Sequence, residues 1–118
     1  MKIANRMIGS ECKPLVIAEM GINHKGCIDT AKQIARSAAL AGCECIKHQT
    51  HFIEDEMTEE AKEIYPPHDA RSIWEIMEEC ALSKDEEIEL KRYCEDLGMI
   101  YISTPFSRSA ADFLDEIN

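Results

Sequence analysis

Polar side chains of the types that carry out chemistry in enzymes follow three apolar runs of the sequence, at the point where each run ends. Glu19 closes the first run, Lys47 and Gln49 close the second, and Thr104 closes the third. Buried strands that carry polar residues only at their carboxyl ends are typical of α/β enzymes, whose active sites lie at that edge of a parallel sheet. The pattern therefore predicts an enzyme with a site built from these side chains.

Glu19 and Lys47 are expected to carry the chemistry. A carboxylate at the end of an apolar strand is partly desolvated, which suits it to act as a general base or to stabilise developing positive charge. The compact ammonium of Lys47 suits a phosphate or carboxylate oxygen, and a strand-end lysine is also chemically able to form a Schiff base. A salt bridge between the two side chains is compatible with these roles.

Alternation along the second run predicts which side chains share a face. Lys47 and Gln49 point to one side of a strand, and His48 and Thr50 point to the other. Gln49 is thus a neutral hydrogen-bonding group beside Lys47, fit for sugar hydroxyls or amides. His48 is expected to pack against helices as a satisfied core histidine, whereas His51 lies past the strand and fits either a packed or a functional role.

Thr104 precedes Pro105 and a helix that Ser107 can cap, so its hydroxyl is placed to meet a phosphate near a helix N-terminus. A simple cap and turn explains the same residues equally well. The four histidines match no standard zinc spacing, and no pair lies at i, i+4 on a predicted helix. We predict no metal site within this segment.

The elements that must position these residues alternate strand and helix three times, after a short strand or hairpin arm at 2–8. Asp29 is expected to cap the first helix, and Ser83 with Glu86 forms a capping box for a later one. An insertion at 51–82 separates the second strand from its helix. Such alternation predicts an α/β fold with a parallel sheet.

The length decides between two parallel architectures. A flat sheet needs helices on both faces, and this chain offers only one layer and a partial insertion. An eight-stranded barrel needs about 250 residues. We therefore predict an N-terminal hairpin arm followed by the first three βα units of a truncated TIM (β/α)8 barrel, with 1–118 as the N-terminal portion of that domain.

Composition excludes several classes of partner. The net charge of −10 argues against nucleic-acid and anionic membrane surfaces. No run approaches the roughly 20 apolar residues of a membrane span, and no signal segment is evident, so a cytoplasmic location is expected. The six cysteines are expected to be reduced thiols. The acidic stretches, including 85–96, are expected to be solvated helix faces.

Three segments, in order, resemble the strand ends of the sialic acid synthase family. They are Ile-Ala-Glu-Met-Gly-Ile-Asn-His at 17–24, Ile-Lys-His-Gln-Thr-His at 46–51, and Ile-Ser-Thr-Pro-Phe-Ser at 102–107. The acidic insertion at 54–57 and the segment 75–82 also resemble bacterial N-acetylneuraminate synthases. The resemblance covers nearly the whole chain, and several ordered motifs together are far more specific than any one of them.

The resemblance implies a TIM barrel and a small antifreeze-like C-terminal domain, usually in a homodimer, of which this chain is the opening part. The family condenses phosphoenolpyruvate with N-acetylmannosamine or a related N-acetylated amino sugar, giving a sialic acid and phosphate. A divalent metal, typically Mn²⁺ with Mg²⁺ as the alternative, activates the sugar aldehyde. Its ligands are expected outside this segment, which alone is expected to be inactive.

Position by position, the resemblance gives each site residue a role. Glu19 matches a glutamate that assists the oxocarbenium or proton-transfer steps, and Lys47 matches a lysine that contacts phosphoenolpyruvate. Gln49 matches a contact to the acceptor sugar, and Thr104 a contact to the phosphate. His68 stands where N-acetylneuraminate synthases usually have a sugar-contacting asparagine. A legionaminate-type synthase that uses a diacetamido sugar is therefore the alternative.

Two further functions remain open from the sequence. One is another phosphate-handling barrel lyase or aldolase, in which Lys47 forms a Schiff base with substrate. The other is a non-enzymatic acidic interaction module built on the insertion at 54–82.

Overall fold

The computed structural model describes residues 1–117, and its first element is a hairpin. Strands β1 (Lys2–Ile3) and β2 (Arg6–Met7) pair antiparallel. Arg6 Nε donates a hydrogen bond to Glu44 Oε2 at 2.7 Å, and Arg6 Nη2 donates to the Lys13 carbonyl at 2.8 Å. These bonds hold the hairpin against the residue that precedes the central strand, and they confirm the predicted N-terminal arm.

Three parallel strands form the main sheet, in the order β3, β4, β5. They are β3 (Ile17–Gly21), β4 (Cys45–Thr50) and β5 (Ile100–Pro105). Each strand leads to a long helix, and these helices are α1 (Ile28–Leu40), α4 (Lys84–Asp96) and α5 (Arg108–Glu116). The prediction of three βα units with a parallel sheet is confirmed.

An insertion between β4 and α4 contains two short helices and a 3₁₀ turn at Glu59–Glu63. The helices are α2 (Ile53–Glu56) and α3 (Ile73–Cys80), the second of which begins with a capping box between Ser72 and Glu75. Gly26 lies against the C-terminal end of α3, and a Cβ at Gly26 would lie 2.1 Å from the Glu79 carbonyl oxygen. Only glycine permits this backbone approach.

The hydrophobic core lies on the side of the sheet that α1 and α4 cover. Ala31 and Ala35 of α1 and Leu90 of α4 meet Met20 and Ile46 of the sheet, all with no exposed surface. Small side chains on α1 let that helix approach the strands closely. The opposite face of the sheet carries no helix among the described residues, and most of its side chains are partly or fully exposed.

The helix ends match the sequence prediction in part. The capping box of Ser83 and Glu86 is present at the start of α4. The prediction that Asp29 caps α1 is wrong, because the helix begins earlier, at Ile28, with Cys27 as N-cap and no side-chain capping bond. Ile28 packs against the core, and this contact draws the helix start toward the sheet. Asp29 instead lies in the first turn, where its charge suits the helix dipole.

All six cysteines are free thiols, as predicted. Within residues 1–117, none of the helices has the length and apolar character needed to span a membrane.

Candidate functional site

Glu19 and Lys47 form an ion pair at the carboxyl ends of β3 and β4. The two residues are partners in the strand register, and Lys47 Nζ donates to Glu19 Oε2 at 2.9 Å. Their side chains are 52% and 37% exposed, because they lie on the face of the sheet that no helix covers. The expected desolvation of Glu19 is therefore not found within this chain, but the pairing with Lys47 is.

Gln49 and Thr104 form a second row, two residues further toward the carboxyl ends of β4 and β5. They are register partners on β4 and β5, and both are half-buried. A Cβ at Gly21 would lie 3.9 Å from the Gln49 amide nitrogen, so the amide lies beside the end of β3. The structure thus brings Glu19, Lys47, Gln49 and Thr104 together in two adjacent rows on one face.

His68 is not joined to these rows. It lies exposed in the turn after Pro66 and Pro67, within the insertion. Across the described part of the chain, its side chain makes no hydrogen bond to the four strand-end residues. Its predicted contact with the acceptor sugar remains a prediction.

His51 is a buried member of this edge whose role the sequence left open. Its side chain is 2% exposed, and its Nδ1 lies 2.9 Å and 3.0 Å from the two carboxylate oxygens of Glu56. Its Nε2 lies 3.4 Å from Gln49 Oε1, and its ring stacks on Phe106 with centroids 4.3 Å apart. The sequence signal for this cluster is a histidine directly after a strand, followed by an acidic helical turn.

The opposite face of β4 carries a buried chain of hydrogen bonds. The Gly26 amide donates to His24 Nδ1 at 3.2 Å, so the other ring nitrogen of neutral His24 carries the proton. His24 Nε2 then donates to His48 Nε2 at 3.0 Å, and His48 Nδ1 donates to the Tyr101 hydroxyl oxygen at 3.2 Å. Burial lowers the pKa of His48 to about 3 and also lowers the pKa of His24, which keeps both rings neutral. The prediction of a satisfied core histidine at His48 is confirmed.

Glu87 of α4 is buried beside this chain, which corrects the prediction that 85–96 is wholly a solvated face. Thr50 Oγ1 donates to Glu87 Oε2 at 2.8 Å, while Glu87 Oε1 has no hydrogen-bond partner among the described residues. Burial raises the pKa of Glu87 to about 7. The signal was present in the spacing, because Glu87 precedes Leu90 and Cys94 by three and seven residues on the buried helical stripe.

The chemistry available to the strand-end rows is anion binding and proton handling. Lys47 offers an accessible ammonium, Glu19 a carboxylate in contact with it, and Gln49 and Thr104 neutral hydrogen-bonding groups. Within residues 1–117, no three histidine, cysteine or carboxylate side chains lie close enough together to hold a metal ion.

Comparison with known proteins identifies a family and several similar synthases. The model of the NeuB family matches residues 34–118. Human N-acetylneuraminate-9-phosphate synthase is 31% identical over 96% of the chain and 32% of its own length. The N,N′-diacetyllegionaminic acid synthase of Legionella pneumophila is 30% identical over 90% of the chain and 31% of its own length.

A solved structure extends the agreement to the fold. The N-acetylneuraminic acid (sialic acid) synthetase of Leptospira borgpetersenii superposes with a TM-score of 0.85 at 27% identity, over all of this chain and 38% of that one. The three βα units are thus the opening units of a TIM barrel. The chain spans about a third of the length of the curated relatives it matches. It belongs to the NeuB family, the sialic acid synthase family that its strand-end motifs resemble.

Proposed function

We propose that this chain supplies the first strands of a barrel that condenses phosphoenolpyruvate with an N-acetylated amino sugar, N-acetylmannosamine in the first instance. The methylene carbon of phosphoenolpyruvate forms a bond to the sugar aldehyde carbon, and water adds to the carbon that bears the phosphate. Cleavage of the carbon–oxygen bond then releases inorganic phosphate and leaves the keto acid N-acetylneuraminate.

The ion pair between Glu19 and Lys47 is the observation that carries this proposal. Glu19 holds the Lys47 ammonium at the strand end, where an incoming anion can replace the carboxylate as its partner. Lys47 then binds phosphoenolpyruvate. Glu19, released from the pair, lies next to the reacting carbons and stabilises the oxocarbenium centre or moves a proton to or from it.

The second row binds the remaining parts of the substrates. Gln49 contacts the acceptor sugar through its amide, and Thr104 donates its hydroxyl proton to a phosphate oxygen. Their pairing in the strand register supports joint action, because the two side chains lie on neighbouring strands at the same level of the sheet. His68 is proposed to contact the same sugar from the insertion, as the sequence resemblance implies.

The relatives include a synthase for N-acetylneuraminate 9-phosphate and one for diacetyllegionaminic acid, so a diacetamido sugar is the alternative acceptor. A divalent metal, Mn²⁺ or Mg²⁺, would polarise the sugar aldehyde from ligands outside this chain. A cytoplasmic homodimer is likewise proposed for the complete enzyme.

The test measures phosphate release by the intact enzyme that contains this chain, with phosphoenolpyruvate and either N-acetylmannosamine or a diacetamido sugar. Glu19→Gln is expected to lower turnover by about 10²-fold or more, in the range of a lost proton-transfer group. Glu89→Gln is the matched control, because Glu89, about as exposed as Glu19, forms an ion pair with Lys32 on the helical side. Unchanged turnover in Glu19→Gln would refute the site.

Borohydride trapping tests the competing aldolase mechanism. A Schiff base requires a neutral amine as nucleophile, whereas Lys47 is an ammonium that donates to Glu19. We therefore expect no covalent adduct between pyruvate and Lys47 after reduction. An adduct at Lys47 would replace the synthase mechanism with an aldolase mechanism.

A further inference from the structure

We propose that His51 is a positioning residue that sets the orientation of the Gln49 amide for the acceptor sugar, and that Glu56 holds His51 for this task. This inference rests on the proposed function, since that function gives Gln49 a sugar to bind. It adds a second layer of residues behind the strand-end rows.

The His51 ring is fixed on several sides. Both carboxylate oxygens of Glu56 lie within 3.0 Å of Nδ1, so Nδ1 carries a proton and donates it. Phe106 covers one ring face with an interplanar angle of 26°. The Phe106 amide also donates to the Thr50 carbonyl at 3.2 Å, which ties the stacking residue to the end of β4. The ring therefore cannot turn away from Gln49 without breaking these contacts.

The remaining ring nitrogen faces the amide of Gln49. With Gln49 Oε1 at 3.4 Å from Nε2, a ring protonated on both nitrogens donates to that oxygen. The amide nitrogen then lies on the side of Gly21, where it offers its protons to a ligand. A neutral ring instead presents a lone pair at Nε2, which favours the flipped amide with its carbonyl oxygen outward.

The contact between His51 Nε2 and Gln49 Oε1 thus decides which edge of the Gln49 amide faces the sugar. A sugar hydroxyl accepts or donates according to which edge of the amide it meets.

A double-mutant cycle on the intact enzyme tests this coupling. His51→Phe keeps the ring stack but removes both nitrogens, and we expect it to raise the KM for N-acetylmannosamine about tenfold, the worth of one hydrogen bond. The KM for phosphoenolpyruvate should stay within about twofold of wild type, since His51 does not contact Lys47. In a Gln49→Ala background, His51→Phe should have no further effect on the KM for the sugar.

A general structural role for His51 predicts different changes in the two KM values. Effects of Gln49→Ala and His51→Phe that multiply, or a parallel rise in the KM for phosphoenolpyruvate, would overturn the inference. If His51→Phe fails to fold, Glu56→Gln serves in its place, because it keeps one acceptor oxygen for Nδ1 while it removes the charge and replaces the second oxygen with an amide NH2. Glu54→Gln is its matched control, as Glu54 is exposed on the same short helix.

A spectroscopic measurement separates this inference from the proposed activity. The chain has two glutamines, Gln49 and Gln33, and Gln33 is exposed on α1. In ¹⁵N-labelled intact enzyme, the Gln49 and Gln33 side-chain amide signals are assigned by their loss in Gln49→Ala and Gln33→Ala, because Glu56→Gln adds a glutamine signal of its own. Glu56→Gln should shift the signals of Gln49 and leave those of Gln33 unchanged. Unmoved Gln49 signals would overturn the inference even in an active enzyme. Shifted signals in a protein without synthase activity would support the positioning and refute the proposed function.

Discussion

The two faces of β4 contain the same kinds of side chain in opposite surroundings. On the open face, Lys47 meets Glu19 in an ion pair whose members are more than a third exposed. On the helical face, His48 lies near Glu87 with both side chains 1% exposed. Successive residues of one strand therefore place a cation by a carboxylate in water and a neutral ring by a carboxyl group in the core.

The difference shows that burial separates the residues available for chemistry from the residues that stabilise the fold. Charged groups on the open face are accessible to water and to a ligand, so they cost the fold little. Groups on the buried face must be neutral or fully hydrogen-bonded, because an unpaired buried charge is strongly destabilising. We expect changes on the open face to affect activity and changes on the buried face to affect folding.

Of the variants considered, Lys47→Met should have the largest effect, and this effect should be on activity. Loss of the ammonium removes the charged partner of phosphoenolpyruvate, so kcat/KM for that substrate should fall by about 10²-fold or more, the worth of a strong charge-assisted hydrogen bond. The midpoint of urea unfolding should barely move. Steady-state kinetics on the intact enzyme and urea titration check both parts, and a large loss of stability would contradict the division.

His48→Ala should have the largest effect on stability. The substitution empties a buried site and leaves His24 Nε2 and the Tyr101 hydroxyl without their partner. We expect the free energy of unfolding to fall by about 2–4 kcal/mol, as for other large-to-small core changes that orphan polar atoms. His68→Ala, at an exposed turn, should change it by less than about 0.5 kcal/mol. Equal effects at the two histidines would refute the comparison.

The buried face should also give a characteristic dependence of stability on pH. His48 has a folded pKa of about 3, so the unfolded chain binds more protons there and stability rises with pH from about 3 to about 6.5. Glu87 has a folded pKa of about 7, so the folded chain binds more protons and stability falls from about 4.5 to about 7. The two dependences oppose each other over the shared range.

Glu87→Gln should expose the His48 dependence. With the carboxyl group gone, stability should rise with pH between about 4.5 and 6.5 by up to about 1.4 kcal/mol per pH unit more steeply than in wild type. Urea unfolding at several pH values measures the slopes. Identical slopes in the variant and wild type would show that Glu87 is ionised in the folded protein throughout this range.

Glu19→Gln should have only a small effect on stability. Its partner Lys47 is exposed, and exposed ion pairs contribute about 0–1 kcal/mol. We expect the free energy of unfolding to change by less than about 1 kcal/mol, although the same variant is expected to lose turnover. A loss comparable to that of His48→Ala would mean that the ion pair is part of the structural core.

Local rules predicted much of this architecture. Strict alternation in β4 assigned Lys47 and Gln49 to one face and His48 to the other, because the side-chain period of a strand is two. The capping box of Ser83 and Glu86 fixed the start of α4, and the same Ser-x-x-Glu pattern at Ser72 would have fixed the start of α3. Such signals lie within a few residues of the element they determine.

Contacts between distant elements were beyond these rules. Glu87 is buried because α4 packs over the helical face of β4. Its neighbours in sequence are also acidic, and they led to the prediction of a solvated helix face. The His51 cluster depends on α2 and the end of β5 meeting at one point, where Glu56 and Phe106 enclose the ring. Asp29 had the right type for a cap, but the packing of Ile28 set the helix boundary.

The close approach of Gly26 to the Glu79 carbonyl has a consequence for local opening. Gly26 also donates the first bond in the buried chain of hydrogen bonds, to His24. One residue therefore joins the loop after β3 to both α3 and the helical face of β4. Separation of α3 from this loop would remove the packing that holds the Gly26 amide in place. Amide hydrogens of the loop and of the last turn of α3 should therefore exchange with solvent as one cooperative unit.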